Sequence, residues 1–161
     1  MASRLMALFV LILIALMSVN AWAEKKSITY VTKMGPVLSR TVSNPGDRSG
    51  HELVQQVRQD ITSSSDQDWD GTMLTNTNQS DLTEGNGTVA GYAVRTHKNG
   101  DQTFYKFQGK VAATGEGAAR QSTGEGTVEL IGGTGKFAKA RGTGTFSTAK
   151  GQSTIKLDVE Y

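Results

Sequence analysis

Apolar and polar residues alternate along most of the chain after residue 24, and no window has the apolar spacing of an amphipathic helix. The final segment is the clearest case, since Ile155, Leu157 and Val159 alternate with Lys156 and Asp158. Gly, Asn, Asp and Pro, which favour turns, separate such segments. The pattern predicts strands at Ser27–Lys33, Val37–Val42, His51–Ser63, Gly71–Ser80, Thr88–His97, Thr103–Ala113, Thr127–Ile131, Gly142–Thr148 and Ser153–Tyr161.

The predicted strands are joined mostly by short turns. Asn99-Gly100 suits a two-residue hairpin, whereas the Gly-rich segment Thr114–Gly126 is predicted to be a long loop. About eight strands joined in this way predict an all-β fold, an eight-stranded antiparallel up-and-down barrel, with a two-sheet β-sandwich as the alternative. A barrel of this size encloses either packed side chains or one small ligand.

The first 23 residues have the layout of a secretory signal peptide. Arg4 precedes an apolar run from Leu5 to Val19, and small residues at Ala21 and Ala23 precede a cleavage point. An uncleaved membrane anchor is the alternative, but the run is shorter than the roughly 20 residues that span a bilayer. The sequence therefore predicts a secreted or periplasmic protein, with residues 24–161 as a single domain and no membrane contact after cleavage.

Composition narrows the partners and the chemistry. Removing residues 1–23 takes away one of 17 basic side chains and none of 15 acidic ones, which leaves a net charge of +1. The remaining Lys and Arg are scattered, so nucleic acid is not expected as a partner. The chain has no cysteine, which excludes disulfides, zinc–thiolate sites and cysteine nucleophiles. No cofactor is predicted.

A cluster of glycines lies where one apolar run stops. Gly132, Gly133 and Gly135 precede Phe137, and Gly142 opens the next strand. Glycine permits positive φ and close backbone approach, so a corner between two strands is predicted, with Phe137 packed on the core. A phosphate-binding loop is disfavoured, because no Gly-Lys-Ser/Thr follows at the required spacing.

The same glycines carry a family resemblance. Residues 132–137 read GGTGKF, and Ala140-Arg141-Gly142 follows. This segment resembles the GGTGKF…ARG signature of dirigent proteins and, more loosely, the matching stretch of allene oxide cyclases. The chain also looks like small exported bacterial proteins of unknown function in that barrel superfamily. The resemblance implies an antiparallel barrel, a trimer in many members, a structural corner at the motif, and chemistry steered by groups on other strands inside the barrel.

Candidate ligand-binding residues come from polar and aromatic positions on the predicted strands. Arg58 and Asp60 share one strand face; they form either an interior pair that orients a ligand or part of the solvent face, which the polar outer surfaces of barrels favour. Arg95 and His97 share a face, and Tyr92 lies on the other. Without a recognisable triad, rim or surface positions are expected for these three residues. Aromatic residues such as Tyr105 fill the core or line a cavity mouth.

Alternate carboxylates at Asp66, Asp68 and Asp70 are followed by Gly71. This D-x-D-x-D-G spacing resembles the start of a calcium-binding loop. The acidic residue expected at the twelfth position is replaced by Thr77, and no flanking helices are predicted. An Asp-rich turn anchored by its tryptophan is the alternative.

No catalytic constellation stands out in the sequence. The pattern therefore favours a secreted barrel that binds a small apolar molecule or a protein partner over an enzyme. A cyclase-like or dirigent-like enzyme that acts on a reactive small-molecule intermediate stays open, and interior charged residues would favour it. A structural or assembly protein built as a homo-oligomer is the second alternative. The side chains that face the interior distinguish these hypotheses.

Overall fold

A computed structural model describes residues 25–115 and 121–161. The predicted signal peptide and the middle of the predicted loop Thr114–Gly126 lie outside the described residues. Within the described residues, no helix has the length and apolar composition that a membrane span needs.

Nine strands carry the alternating pattern into the structure. In β9, for example, Ile155, Leu157 and Val159 are buried while Lys156 and Asp158 are exposed. The strands are β1 (Lys25–Lys33), β2 (Val37–Ser43), β3 (His51–Ser64), β4 (Met73–Thr83), β5 (Asn86–Thr96), β6 (Gln102–Thr114), β7 (Gln121–Gly133), β8 (Arg141–Ala149) and β9 (Gln152–Glu160). A short 3-10 helix, Gly135–Phe137, lies between β7 and β8.

All nine strands belong to one antiparallel sheet whose hydrogen bonding closes into a ring. Strands β3 to β9 pair in sequence order, and β1 pairs with β9 on one edge and with the end of β3 on the other. The short strand β2 continues beside the first half of β3, outside the ring, and all its residues are exposed. The predicted all-β antiparallel fold is confirmed, and the closed ring fits the predicted barrel.

The Gly-rich segment predicted as a loop is largely strand, which corrects that expectation. β6 continues to Thr114, and β7 begins at Gln121. Glycine is needed at position 126 and at position 109 of the neighbouring strand because a side chain would meet the backbone of the paired strand and the Phe146 ring. A Cβ atom on Gly126 would lie 2.7 Å from Phe146 Cε1, and one on Gly109 would lie 2.8 Å from its Cζ. The glycines thus make room for an interior aromatic ring rather than for a turn.

One end of the ring, called the closed end below, is covered by two connections, residues 65–72 and 134–140. Trp69 comes from the first connection and Phe137 from the second, and both side chains are fully buried. Their ring centroids are 5.5 Å apart in an edge-to-face arrangement, a favourable geometry for aromatic pairs. The closed end therefore holds a tightly packed aromatic part of the core.

The corner at 134–140 is attached to the neighbouring β5–β6 turn. Gly135 has φ +53°, and a side chain there would collide with the Asp101 carboxylate. Asp101 Oδ2 accepts a hydrogen bond from the Lys136 backbone N–H at 3.2 Å. The Thr134 backbone N–H donates to the Gln102 carbonyl, and Thr134 Oγ1 accepts from the Gln102 N–H, both at 2.8 Å. These contacts place Phe137 over the interior.

Candidate functional site

A cavity of about 270 Å³, called the central cavity below, lies inside the ring above the closed end. It reaches the surface at the opposite end, where the lining residues Ser122 and Thr123 are exposed. The interior is therefore hollow in one half and packed in the other. An eight-stranded ring has room for one small ligand of this kind.

Aromatic and aliphatic side chains form one wall of the central cavity. They come from β1 and from β6 to β9, and they are Tyr30, Tyr105, Phe107, Val128, Phe146 and Ile155. Phe107 and Phe146 meet edge to face with ring centroids 6.1 Å apart. This wall offers an apolar, aromatic surface that suits a ring-shaped molecule.

Polar side chains from β3 and β4 form the facing wall. They are Gln56, Arg58, Asp60, Asn76, Asn78 and Ser80. Their position follows from register, since Arg58 pairs with Asn76 and Gln56 with Asn78, so the four side chains share one face of two neighbouring strands. The lining of the central cavity is thus mostly apolar on one side and mostly polar on the other, with Leu74 of β4 and the hydroxyls of Thr32, Thr148 and Ser153 as exceptions.

Arg58 and Asp60 form a two-pronged ion pair on this polar wall. Arg58 Nε donates to Asp60 Oδ1 at 2.7 Å, and Nη2 donates to Oδ2 at 3.2 Å. Asp60 is buried and also accepts the Gly35 backbone N–H at 3.1 Å. Arg58 Nη1 has no hydrogen-bond partner among the described residues, so one guanidinium edge can reach a molecule in the cavity.

A second arginine, Arg95, lies under the cavity floor and is completely buried. Its Cζ atom is 4.4 Å from the centroid of the Tyr30 ring and 5.7 Å from that of Tyr105. Nη1 donates to the hydroxyls of Thr62 and Thr72 at 2.6 Å each, and Nε donates to the Tyr105 hydroxyl at 3.3 Å. No carboxylate of the described residues pairs with this guanidinium.

Tyr30 and Tyr105 lie between Arg95 and the cavity, and their hydroxyl groups have different surroundings. Burial raises the pKa of Tyr30 well above its ordinary value, although the Arg95 charge opposes the shift, so the phenol stays neutral. The Tyr105 hydroxyl contacts Thr103 Oγ1 at 2.9 Å. The Tyr30 phenol is therefore neutral, and both tyrosine rings lie between Arg95 and the cavity.

His97 belongs to the closed end rather than to the cavity. Its ring stacks on Phe137 with centroids 4.2 Å apart and meets Trp69 edge to face at 5.3 Å. Nδ1 lies 2.7 Å from the Asp68 carbonyl, and Nε2 lies 3.0 Å from Thr103 Oγ1. Burial lowers the pKa of His97, which favours the neutral imidazole. His97 therefore has a structural role, since it packs on the aromatic rings and connects residues 65–72 to β6.

The structure brings together some of the sequence-predicted site residues and separates others. Arg58, Asp60 and Tyr105 line the central cavity, and Arg95 lies directly beneath it. Tyr92 is on the outer face of β5, with 59% of its surface exposed, so it cannot contact a molecule inside.

The interior alternative holds for Arg58 and Asp60, whereas the rim or surface positions expected for Arg95 and His97 are wrong. Arg58 and Asp60 face the interior rather than solvent, and β3 instead exposes Leu53 and Ile61 on its outer face. His97 and Arg95 are buried rather than placed at a rim. The usual preference of polar residues for the outer face does not hold here, because polar side chains line the hollow half of the ring and the two charges among them, Arg58 and Asp60, pair with each other.

The Asp-rich connection at 65–72 directs its carboxylates to different partners. Asp66 pairs with Lys26, Asp68 lies 2.6 Å from Lys136 Nζ, and Asp70 Oδ1 accepts the Ser64 backbone N–H at 3.1 Å. The Lys136 contact holds the pKa of Asp68 below its usual range. Within the described ranges no cluster of three His, Cys, Asp or Glu residues could hold a metal ion. Calcium binding by Asp66, Asp68 and Asp70 stays an untested prediction.

Several cavity residues were missed by sequence reasoning, although a signal for them existed. Gln56, Asn76 and Asn78 lie at two-residue spacing on strands that also carry Arg58 or pair with it. Once Arg58 is placed inside, strand periodicity places these amides inside as well. Phe107 and Phe146 could have been found from the glycines opposite them, Gly91 and Gly109, which leave room for a ring.

No protein-family model and no curated protein matches the sequence. Among solved structures, the chain is similar to pyocyanin demethylase, with 16% identity and a TM-score of 0.52 over 83% of this chain and 99% of that one. It is also similar to a conserved protein of unknown function from Rhodopseudomonas palustris, with 7% identity and a TM-score of 0.47 over 86% and 98% of the two chains.

A pterocarpan synthase dirigent protein is a further structural neighbour, with 13% identity and a TM-score of 0.44 over 86% of this chain and 87% of that one. At these identities the likeness concerns the fold. The comparisons therefore support one conclusion, which is that the chain has the same fold as pyocyanin demethylase.

Proposed function

We propose that this protein binds a small, largely apolar molecule in the central cavity. The observation that carries the proposal is the division of one interior space into an aromatic wall and a polar wall. A ring in contact with Tyr105, Phe107 and Phe146 buries apolar surface, while polar substituents at its edge meet β3 and β4.

The size of the cavity limits the ligand. Its volume of about 270 Å³ lies just below the roughly 300–1,000 Å³ found for small-molecule sites. The glycine-lined wall is continuous backbone, so the cavity cannot enlarge there without breaking strand pairs. A compound with one or two rings fits these limits.

The experiment is a calorimetric titration of residues 24–161 with a panel of one- and two-ring aromatic amides. Val89 lines the cavity and its neighbour Ala90 faces outward, which gives a matched pair of variants on one strand. We expect Val89→Trp to weaken binding at least about tenfold because the indole occupies the cavity, while Ala90→Trp binds as the natural chain does. Equal binding by both variants, or no binding by the natural chain, contradicts the proposal.

A dirigent-like or cyclase-like enzyme is the second candidate, and the interior position of Asp60 supports it. A buried carboxylate beside a cavity can exchange a proton with a bound molecule, and Arg58 fixes its orientation. Pyocyanin demethylase, an enzyme by its name, has the same fold, so the fold is compatible with catalysis. Mass spectrometry of panel compounds after incubation tests this candidate: conversion by the natural chain and none by Asp60→Asn supports it, and no conversion contradicts it.

We also propose that the protein acts outside the cytoplasm. The support is the basic, apolar and small-residue layout of residues 1–23. N-terminal sequencing of the exported protein should give Glu24 as the first residue. A chain that retains Arg4 contradicts the proposal.

A further inference from the structure

The described interior carries one positive charge more than it carries negative charges. Arg58 and Asp60 are the charged side chains among the described residues that line the central cavity, and they neutralise each other. Arg95 adds a cation directly beneath the floor. Because its neighbours there are hydroxyls and aromatic rings, its charge is uncompensated.

An uncompensated buried cation is unusual, since removing a charge from water is unfavourable unless a partner is supplied. One guanidinium nitrogen of Arg95, Nη2, is buried without any hydrogen-bond partner among the described residues. Cation–π contact with Tyr30 at 4.4 Å provides part of the missing stabilisation, but it does not cancel the charge.

The groups around Arg95 do not supply the missing negative charge. Tyr30 is held in its neutral form by burial, and the buried histidine nearby, His97, can contribute only a neutral or a positive ring. Asp60 is committed to Arg58 through two hydrogen bonds and to the Gly35 N–H through a third. Among the described residues, the interior therefore has no anion that pairs with Arg95.

We propose that the molecule bound in the central cavity is a monoanion, a one- or two-ring aromatic carboxylate. This rests on the proposed ligand-binding function and specifies its ligand class. The ring lies on the aromatic wall, and the carboxylate takes the free Nη1 edge of Arg58 while the field of Arg95 adds attraction through the tyrosine floor. Arg95 acts as a positioning residue, because the tyrosines separate it from the ligand.

The test compares matched pairs in which one compound is a carboxylate and the other is its amide, such as 2-naphthoate and 2-naphthamide. The two members have nearly the same shape and differ in charge. In calorimetric titrations of residues 24–161 at neutral pH, we expect the carboxylate to bind at least about tenfold more tightly than the amide. Amides that bind as tightly as their carboxylates overturn the inference and leave the proposed function intact, whereas binding by neither member overturns both.

Three variants test whether the interior charges cause the preference for the carboxylate. Asp60→Asn removes the interior anion, so we expect the ratio of carboxylate to amide affinity to rise. Arg95→Met removes the buried cation, so we expect the ratio to fall towards one while the amide still binds. Lys139→Gln, which neutralises an exposed lysine on the corner, serves as the matched surface control and should leave the ratio unchanged.

The ratio is the informative readout, because a purely structural role for Arg95 would weaken both compounds equally. If Arg95→Met does not fold, the Asp60→Asn result decides alone. A ratio that is unchanged or lower in Asp60→Asn overturns the assignment.

Discussion

His97 shows how one buried side chain connects three elements of the closed end. It contacts the Asp68 carbonyl in one connection, Phe137 in the other and Thr103 at the start of β6. The imidazole suits this position in its neutral form, because Nδ1–H donates a hydrogen bond to the Asp68 carbonyl and Nε2 accepts one from the Thr103 hydroxyl. Protonation removes the acceptor and places a charge among aromatic rings.

His97 should therefore make stability depend on pH. Its folded pKa is lowered, so the unfolded chain binds more protons, and the stability that the neutral ring contributes is present above the unfolded pKa of about 6.5 and is lost as the pH falls below it. We expect the difference in unfolding free energy between the natural chain and His97→Gln to shrink from pH 7 to about pH 5. Urea titrations at several pH values measure it, and a difference that is constant with pH contradicts this account.

Phe137 tests the packing of the same region. Its fully buried ring contacts Trp69, His97 and Tyr161 with centroid distances of 5.5, 4.2 and 5.1 Å. We expect Phe137→Ala to lower the free energy of unfolding by about 3–5 kcal/mol, as measured by urea denaturation. Phe104→Ala is the control, since Phe104 is only half-buried, and an equal loss in the two variants would show that the closed end is not the main packing site.

At the scale of the element, β7 and its glycines decide the shape of the cavity wall. Gly124 and Gly126 lie two residues apart on the same face of β7, but only Gly126 is covered by the Phe146 ring. A Cβ atom on Gly124 would have its nearest neighbour at 3.4 Å, which is ordinary contact. The two positions are therefore alike in sequence and different in packing.

We expect Gly126→Ala to destabilise the protein by about 1–3 kcal/mol, because the added methyl group collides with Phe146 and with the backbone of β6. Gly124→Ala should stay within about 0.5 kcal/mol of the natural chain. Thermal and urea unfolding of the two variants make the comparison. Similar behaviour of both would mean that the ring does not lie against this wall.

The same elements explain what the sequence could reveal. Alternation identified the strands, because Ile155, Leu157 and Val159 follow the apolar-inside rule. It favoured the solvent face for Arg58 and Asp60, but a polar cavity wall reverses that rule where the two residues pair with each other. Glycine in β7 suggested a loop because its function, making room for Phe146, depends on the pairing of β7 with β8, which the residues of β7 alone do not reveal.

At the scale of the whole molecule, closure of the ring joins its first and last strands. Lys25 is the Cα partner of Glu160, so these residues lie within the roughly 5 Å that separate paired strands. The homo-oligomer implied by the family resemblance stays a prediction, which light scattering of residues 24–161 can test.

Ring closure predicts that the order of the strands along the chain can be rotated. We expect a circular permutant that links Tyr161 to Lys25 through a few Gly and Ser residues, with new ends between Lys150 and Gly151, to keep the native circular dichroism and the buried fluorescence of Trp69. A permutant opened inside β4, between Asn76 and Thr77, is the control and should lose both signals. Loss of structure in the first permutant would show that the β1–β9 pairing does not close the sheet.

The pairing of β1 with β9 also has a kinetic consequence. Their contacts join residues at opposite ends of the described chain, so loop-closure entropy must be overcome before these contacts add stability, and slow folding follows. Until then both strands present unpaired edges that could recruit another molecule. Charged side chains lie along both edges, at positions 25, 26 and 33 of β1 and at positions 156, 158 and 160 of β9. Because charge opposes edge-to-edge aggregation, these residues protect the chain before the ring has closed.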